Sequence, residues 1–189
     1  KNSCLLGIKI KVILEKKNSN NVKHKMKNKL GGGKMKRFAL YFFWDKNGIV
    51  DDYNIYLLND LKKNVDYLLV VSNGKLTKEG YQKFEAVSDR IFERENKGFD
   101  VWAYKEGLQV MGWEALSKYD EVIMLNYTNY GPVYPFKEMF DEMDKLNVDF
   151  WGITEHYGLT FDPYGKCKYG YIPRHIQSIF IAVRNNFLM

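Results

Sequence analysis

The sequence predicts an α/β domain: an open, mainly parallel sheet with helices on both faces. Two observations carry the expectation. From residue 38 onward, short apolar runs punctuated by Gly, Asn and Asp alternate with helical patterns of ten or more residues, the order of βαβ units. The leading runs are unbroken rather than alternating, as strands covered on both faces must be. The 12 Phe, 14 Tyr and 4 Trp all lie in this part of the chain, so it holds the core.

Each element follows in order. Phe38 to Trp44 is a continuous apolar run and reads as the first buried strand. Asp51 to Asn64 has an acidic start and apolar Ile55, Leu57, Leu58 and Leu61, which predicts a helix. Tyr67 to Val71 is the second strand, closed by Ser72-Asn73-Gly74. Thr77, Glu79 and Gly80 open a second helix to about Ser88 that buries Tyr81, Phe84 and Val87. Asp89 to Glu95 is a short third strand, Asp100 to Met111 a third helix, and Glu121 to Leu125 a fourth strand. Tyr134 to Leu146 is a helix with Met139, Phe140 and Met143 on one face. Phe150 to Thr154 and Ile176 to Val183 supply the last two strands.

The 189 residues carry a net charge of +6, from 29 basic and 23 acidic side chains. Residues 1–37 hold 12 of the bases and a single acid, Glu15, whereas residues 38–189 are acidic, at −5. The expected organisation is a basic arm or linker over residues 1–35 and a domain over residues 36–189. In the arm, Leu5 to Glu15 alternates apolar and basic residues like a short strand. Asn18 to Lys29 and the Gly31-Gly32-Gly33 run read as a linker that buries no core. Such a segment is a solvated tail, the remnant of an upstream region, or a tether to an anionic membrane, where each Lys near lipid adds ~1 kcal/mol. Nucleic acid is not the expected partner, because the arm has no aromatic residue for stacking and the domain is acidic.

No apolar run is long enough to span a bilayer. Cys4 and Cys167 are too few for a disulfide framework or a zinc site, which fits the reducing cytoplasm. The chain opens on Lys1 and stops at Phe187-Leu188-Met189 without a polar tail, so both ends are expected to be cuts in a longer protein, with the domain truncated at its C-terminus.

In an open α/β sheet the ligand sits outside the carboxyl ends of the strands. The informative residues are therefore those that follow each apolar run. They are Asp45-Lys46-Asn47-Gly48 with Asp51-Asp52-Tyr53, then Ser72-Asn73-Gly74, then Glu95-Asn96-Lys97-Gly98-Phe99-Asp100, then Asn126-Tyr127-Thr128-Asn129-Tyr130-Gly131-Pro132. Polar residues and Gly gather at four consecutive strand ends, where a nucleotide would be held. Gly98 lets the backbone turn tightly, and the amides of the helix beyond suit a phosphate or sugar oxygen. Asp100 equally suits the N-cap of that helix.

From Lys36 the chain resembles the rhamnan synthesis protein F family, glycosyltransferase-like proteins of polysaccharide assembly. The resemblance rests on the stretches Trp44 to Tyr53, Val70 to Gly74, Arg94 to Asp100, Trp102 to Gly107 and Tyr119 to Val122. Further matches are Gly131-Pro132, Glu138-Met139-Phe140, Asp149 to Thr154 and His175-Ile176-Gln177-Ser178, so that residues 36–184 are covered. The loops are also similar to those of family-two nucleotide-sugar transferases, which have a GT-A-like, Rossmann-like fold. Those proteins carry an Asn-x-Gly-Phe loop entering a helix, matched by Asn96, Gly98 and Phe99, and a strand ending in Leu-Asn, matched by Leu125-Asn126. The relatives then place an Asp that holds a divalent cation; this chain has Tyr127, Thr128 and Asn129. Hard cations favour carboxylate oxygens. Either no Mg²⁺ or Mn²⁺ is used, or Asp45 or Asp100 substitutes, or this member is impaired.

The resemblance implies inverting transfer of a sugar, L-rhamnose from dTDP-rhamnose, to a cell-surface polysaccharide or lipid-linked glycan at the inner face of the cytoplasmic membrane. A catalytically silent nucleotide- or glycan-binding module is the alternative, and a UDP-sugar is the alternative donor. Such transfer needs a base for the acceptor hydroxyl and stabilisation of the leaving diphosphate. Glu155 is the first candidate base, His156 the second, and His175 a third. Sugar-donor contacts fall to Asp45, Asp51, Asp52, Asn73, Asn96, Gly98, Asp100, Lys105, Asn126 and Thr128. Arg174 and Gln177 face the acceptor or a phosphate, and Arg94 and Lys97 are further cations for the diphosphate. Trp44, Tyr53 and Tyr130 are candidates to stack on the base or a sugar ring, with Phe42, Phe43 and Trp151 left to packing.

Overall fold

The computed structural model describes residues 35–188, together with the backbone of two short arm segments. Those segments, β1 (Cys4–Leu5) and β2 (Ile8–Lys9), pair antiparallel. The rest of the strand expected from Leu5 to Glu15, and the linker after it, lie outside the described residues.

In the domain the chain runs through β3 (Arg37–Trp44), α1 (Asp52–Lys62), β4 (Tyr67–Asn73), α2 (Lys78–Glu85) and β5 (Arg90–Arg94). It continues through α3 (Phe99–Met111), α4 (Trp113–Leu116), β6 (Glu121–Asn126), α5 (Phe136–Asp144) and β7 (Phe150–Gly152). Last come β8 (Glu155–His156), β9 (His175–Ile176), β10 (Phe180–Arg184) and α6 (Asn185–Leu188). Six strands form one sheet in the order β5-β4-β3-β6-β10-β7. The first four neighbours are parallel, while β10 runs antiparallel between β6 and β7. β7 therefore points the same way as β6. The expected open, mainly parallel sheet is present.

Successive β3 side chains face opposite layers. Ala39, Tyr41 and Phe43 belong to the cluster that holds Leu57, Leu58 and Leu61 of α1, Phe84 of α2, and Met139 and Phe140 of α5. Phe38, Leu40 and Phe42 belong to the other, with Ala103 and Tyr104 of α3 and Leu116 of α4. Helices on both faces thus leave β3 no wet side, which is why its sequence is an apolar run. Fully burying one such side chain, as with Phe84, stabilises by ~1.5–3 kcal/mol. Gly107 permits the close approach of α3, since a Cβ there would lie 2.4 Å from Leu40 Cδ1.

The edge formed by the start of β3 and β6 is closed by a buried charge cluster. Glu121 accepts from Arg37 Nε at 2.8 Å and from the Trp151 indole at 2.8 Å, and pairs with Arg184 Nε at 2.7 Å. Arg37 also pairs with Asp144 and lies 4.4 Å from the centre of the Phe140 ring.

Four expectations are corrected. Ile176 to Val183 is two strands, because the chain turns at Ser178 between pairing with β8 and pairing with β6. The strand from Phe150 ends at Gly152, where Ile176 and the Phe180 carbonyl pack against the glycine. Tyr81 is exposed, since only Gly80 and Phe84 of α2 face inward. The N-cap of α3 is Gly98 rather than Asp100, with φ of 73° in the left-handed region.

Candidate functional site

The parallel pairing brings four strand ends to one edge. Trp44, Asn73 and Arg94 share one register row across β3, β4 and β5, and Phe42 pairs with Asn126. β7 reaches the same edge, because Ile181 of β10 pairs with both Met124 and Gly152. The loops after five strands therefore open on one side of the sheet, as an α/β ligand site requires.

At its centre stands Asp100. The left-handed conformations of Gly98 and Phe99 (φ 73° and 56°) turn the chain into α3. Asp100 Oδ2 accepts from Asn126 Nδ2 at 3.2 Å and from the Ser178 hydroxyl at 2.7 Å. Its other oxygen accepts from the Val101 amide at 2.8 Å. Asn126 Oδ1 accepts in turn from the Thr128 amide at 3.1 Å and the Thr128 hydroxyl at 2.6 Å. Asn129 ties this loop to the Ile179 carbonyl at 2.6 Å. Positions 127–129 carry no carboxylate, and that of Asp100 reaches the end of β6 from α3. Sequence reasoning named Asp100 and Asn126 but missed the role of Ser178, whose signal was its place in the His175-Ile176-Gln177-Ser178 stretch.

Asp45 makes an Asx turn, its Oδ1 accepting from the amides of Asn47 and Ile49 at 2.8 and 2.9 Å. Those amides, Ile49 foremost, hold its carboxyl below the usual carboxylate range. Burial, with the charges of Asp45 and Asp100 adding to it, pushes the Tyr127 phenol up, so both carboxylates lie within electrostatic reach of Tyr127. Tyr53 and Tyr130 stack with ring centres 4.4 Å apart. Burial and Tyr130 push the Tyr53 phenol up to about 12. Trp44 and Tyr130 are both exposed at this edge.

Arg94 is corrected as a cation for the diphosphate. Its side chain is 4% exposed and forms a two-pronged pair with Glu106 at 2.7 and 2.9 Å. It also donates to Asn73 Oδ1 and to the Lys97 carbonyl. Asn73 then donates to Asn96 Oδ1 at 3.2 Å. Arg94 is the post that fixes the Asn73 and Asn96 loops against α3, and Glu106 is a partner the sequence reading did not single out. Between the ends of β4 and β5 a cavity of about 330 Å³ is lined by Gly74, Lys75, Glu93, Arg94 and Glu95. Lys105 lies over the Trp102 ring at 4.3 Å. Asp51 is the N-cap of α1 with no side-chain bond, and exposed Asp52 pairs with Lys83 of α2 at 3.0 Å.

The remaining candidates sit on a hairpin that leaves this edge after β7. β8 and β9 pair Glu155 with Ile176 and His156 with His175. Glu155, 11% exposed at its side chain, is ion-paired with Arg174, with Nη2 2.8 Å from Oε2. The two imidazoles stack with centres 5.1 Å apart. His156 Nδ1 accepts from the Gly158 amide at 3.0 Å, whereas His175 Nδ1 faces the Pro173 carbonyl at 2.8 Å. The Pro173 carbonyl can only accept, so His175 Nδ1 is the donor in that bond. The Gln177 amide donates to the Thr154 carbonyl at 3.1 Å.

Among the described residues, no helix is long and apolar enough to cross a membrane. The family model described as rhamnan synthesis protein F matches residues 68–189. No curated protein is significantly similar in sequence. Among solved structures, 4-diphosphocytidyl-2C-methyl-D-erythritol synthase is 14% identical with a TM-score of 0.52, over 80% of this chain and 76% of that one. A nucleotide-diphospho-sugar transferase homologue from Desulfovibrio desulfuricans G20 gives 16%, a TM-score of 0.42, and 81% and 65% coverage. HddC from Yersinia pseudotuberculosis gives 14%, 0.43, and 79% and 77%. The first of these likenesses supports the fold.

Proposed function

Because the chain belongs to the rhamnan synthesis protein F family, we propose that residues 36–189 form a glycosyltransferase domain using a nucleotide-sugar donor. The donor in this reading is dTDP-rhamnose, and L-rhamnose passes with inversion to a polysaccharide or lipid-linked glycan. The observation that carries it is the delivery of Asp100 to the end of β6, where Asn126 and Ser178 hold its carboxylate. The sugar donor lies across the strand ends, its nucleotide toward Asn73, Asn96 and the Tyr53–Tyr130 stack and its diphosphate toward Asp100. The basic arm tethers the domain to the inner face of the cytoplasmic membrane.

Among the described residues no three His, Cys, Asp or Glu side chains gather as a metal cage. The side chains fit Mg²⁺ or Mn²⁺ only as one or two carboxylates completed by diphosphate and water. Asp100, with the outer oxygen of Asp45, would hold such an ion, and the ion would neutralise charge on the leaving diphosphate. The acceptor proton passes to a base on the hairpin. Glu155 is engaged in its ion pair with Arg174, so His175, exposed and oriented by the Pro173 carbonyl at Nδ1, is the better placed of the candidates.

Calorimetric titration with dTDP, UDP, dTDP-rhamnose and UDP-glucose, with and without Mn²⁺, tests the reading. Binding of a dTDP compound together with sugar transfer is the expected outcome. Failure to bind any nucleotide sinks it, and binding without transfer or donor hydrolysis identifies a silent module.

A further inference from the structure

The hairpin beyond β8 carries aromatic side chains that the fold does not use. Between residues 157 and 171 five rings face solvent, from 46% exposed at Tyr171 to 90% at Tyr157, with Phe161, Tyr164 and Tyr169 between. Single exposed apolar residues are ordinary, but five exposed rings within one hairpin, two of them ring neighbours, are a concentration that the fold does not require. The backbone beneath them is ordered. Leu159 and Ile172 exchange amide–carbonyl bonds at 2.7 and 3.1 Å, and the Asp162 carboxylate accepts from the amides of Tyr164 and Cys167. Tyr169 and Tyr171 lie with ring centres 6.1 Å apart.

We propose that this hairpin is the docking platform for the acceptor glycan, an inference that rests on the glycosyltransferase reading. The occupant follows from chemistry and position. A pyranose presents C–H groups on its faces and hydroxyls at its rim; a Tyr offers a flat apolar ring with a polar tip. Four of the five rings are Tyr, whose hydroxyls have no partner inside a lipid layer but match a sugar rim. The position is continuous with the strand-end site. β9 runs through Gln177 to Ser178, whose hydroxyl holds Asp100, and the Ile176 side chain rests on Gly152 at the end of β7. A glycan held at Tyr169 and Tyr171 therefore sits on the same ribbon that runs back to the edge where the sugar donor is held, with His175 between them in the chain.

The test uses the full chain and defined oligosaccharides of rhamnan, glucan and galactan type, titrated by calorimetry beside dTDP and UDP. Vesicles of phosphatidylglycerol and phosphatidylethanolamine form a second arm. At least one oligosaccharide binds, and the Tyr169→Ala/Tyr171→Ala double variant weakens it about tenfold, the loss expected for a central aromatic contact. The Tyr169→Phe/Tyr171→Phe variant stays within about threefold, since the rings remain. Nucleotide affinity is unchanged in both. If no oligosaccharide binds while nucleotides do, the platform is overturned and the donor reading stands; if nucleotides also fail, the donor reading falls with it. Equal glycan affinity in the Ala variant, or loss of vesicle binding in its place, also overturns the proposal.

Discussion

Removing Glu121 tests the claim that the far edge of the sheet is held by one buried carboxylate. The Glu121 side chain is fully buried, and it serves two guanidinium groups and an indole N–H at 2.7 to 2.8 Å. In Glu121→Ala, Arg184 keeps only the Met143 carbonyl among these contacts, and Arg37 keeps Asp144, which is itself about a third exposed. Breaking a buried pair by deleting one partner costs about 3–5 kcal/mol, because a charge stays buried without compensation. For a chain of this size each kcal/mol lowers Tm by about 2–4 °C, so a fall of roughly 6–20 °C is expected. Thermal and urea melts followed by circular dichroism read it directly. Asp144→Ala is the control: it removes the solvent-facing arm of the cluster and is expected to cost no more than about 1 kcal/mol. A Glu121→Ala protein melting within about 3 °C of the parent would refute the reasoning, as would equal effects at the two positions.

Four further expectations follow from the site. Asp100→Asn leaves the fold intact but lowers dTDP affinity in Mn²⁺ by about tenfold or more, measured by calorimetry; an unchanged affinity removes Asp100 from the sugar-donor site. Gly98→Ala forces a Cβ to 2.5 Å from Trp102 Cβ at φ of 73°, so it lowers stability by about 1–3 kcal/mol and weakens nucleotide binding. A variant that melts and binds like the parent contradicts that geometry. The Arg94 guanidinium holds the Glu106 carboxyl below the usual carboxylate range. Since the folded value lies below the unfolded one, about 4.3, the pair stabilises fully above that pH and loses its contribution as pH falls through the folded value. Glu106→Gln is therefore less stable at pH 7 and has a flatter acid limb in a plot of Tm against pH; an unaltered limb counts against the pair. Finally, His175→Asn abolishes sugar transfer with sugar-donor affinity unchanged, while Glu155→Gln retains some transfer; the reverse pattern returns the base role to Glu155.

The sheet was legible because helices cover both faces of it. Phe38 to Phe43 and Leu68 to Val71 are buried at every position and had to be apolar, and an unbroken apolar run is easy to read. The hairpin was not legible. Two-residue strands built from Glu, His and Ile show no period, and the apolar residues from Ile176 to Val183 mask the turn at Ser178. The loops of the site were found from their position after apolar runs, but their wiring was hidden. Asp100 bonds to residues 26 and 78 positions away, and only tertiary folding makes them neighbours. Arg94 shows the opposite failure. An Arg at a strand end reads as a free cation for a ligand, whereas four interactions with Glu106, Asn73 and Lys97 absorb it.

The reversed strand β10 fixes an order of assembly. β3 to β6 are adjacent in the sheet and come early in the domain, so a chain emerging from the ribosome can pair them as it appears. β7 cannot join them on its own, because its sheet neighbour is β10. The β8–β9 hairpin, which carries the proposed base, lies between those two strands in sequence. It reaches its working position only when β10 has slotted in beside β6. The loops after β3 to β6 can therefore gather first, but Asp100 gains its Ser178 bond only once β10 is in place, so the proposed site is completed by the segment that pairs after them.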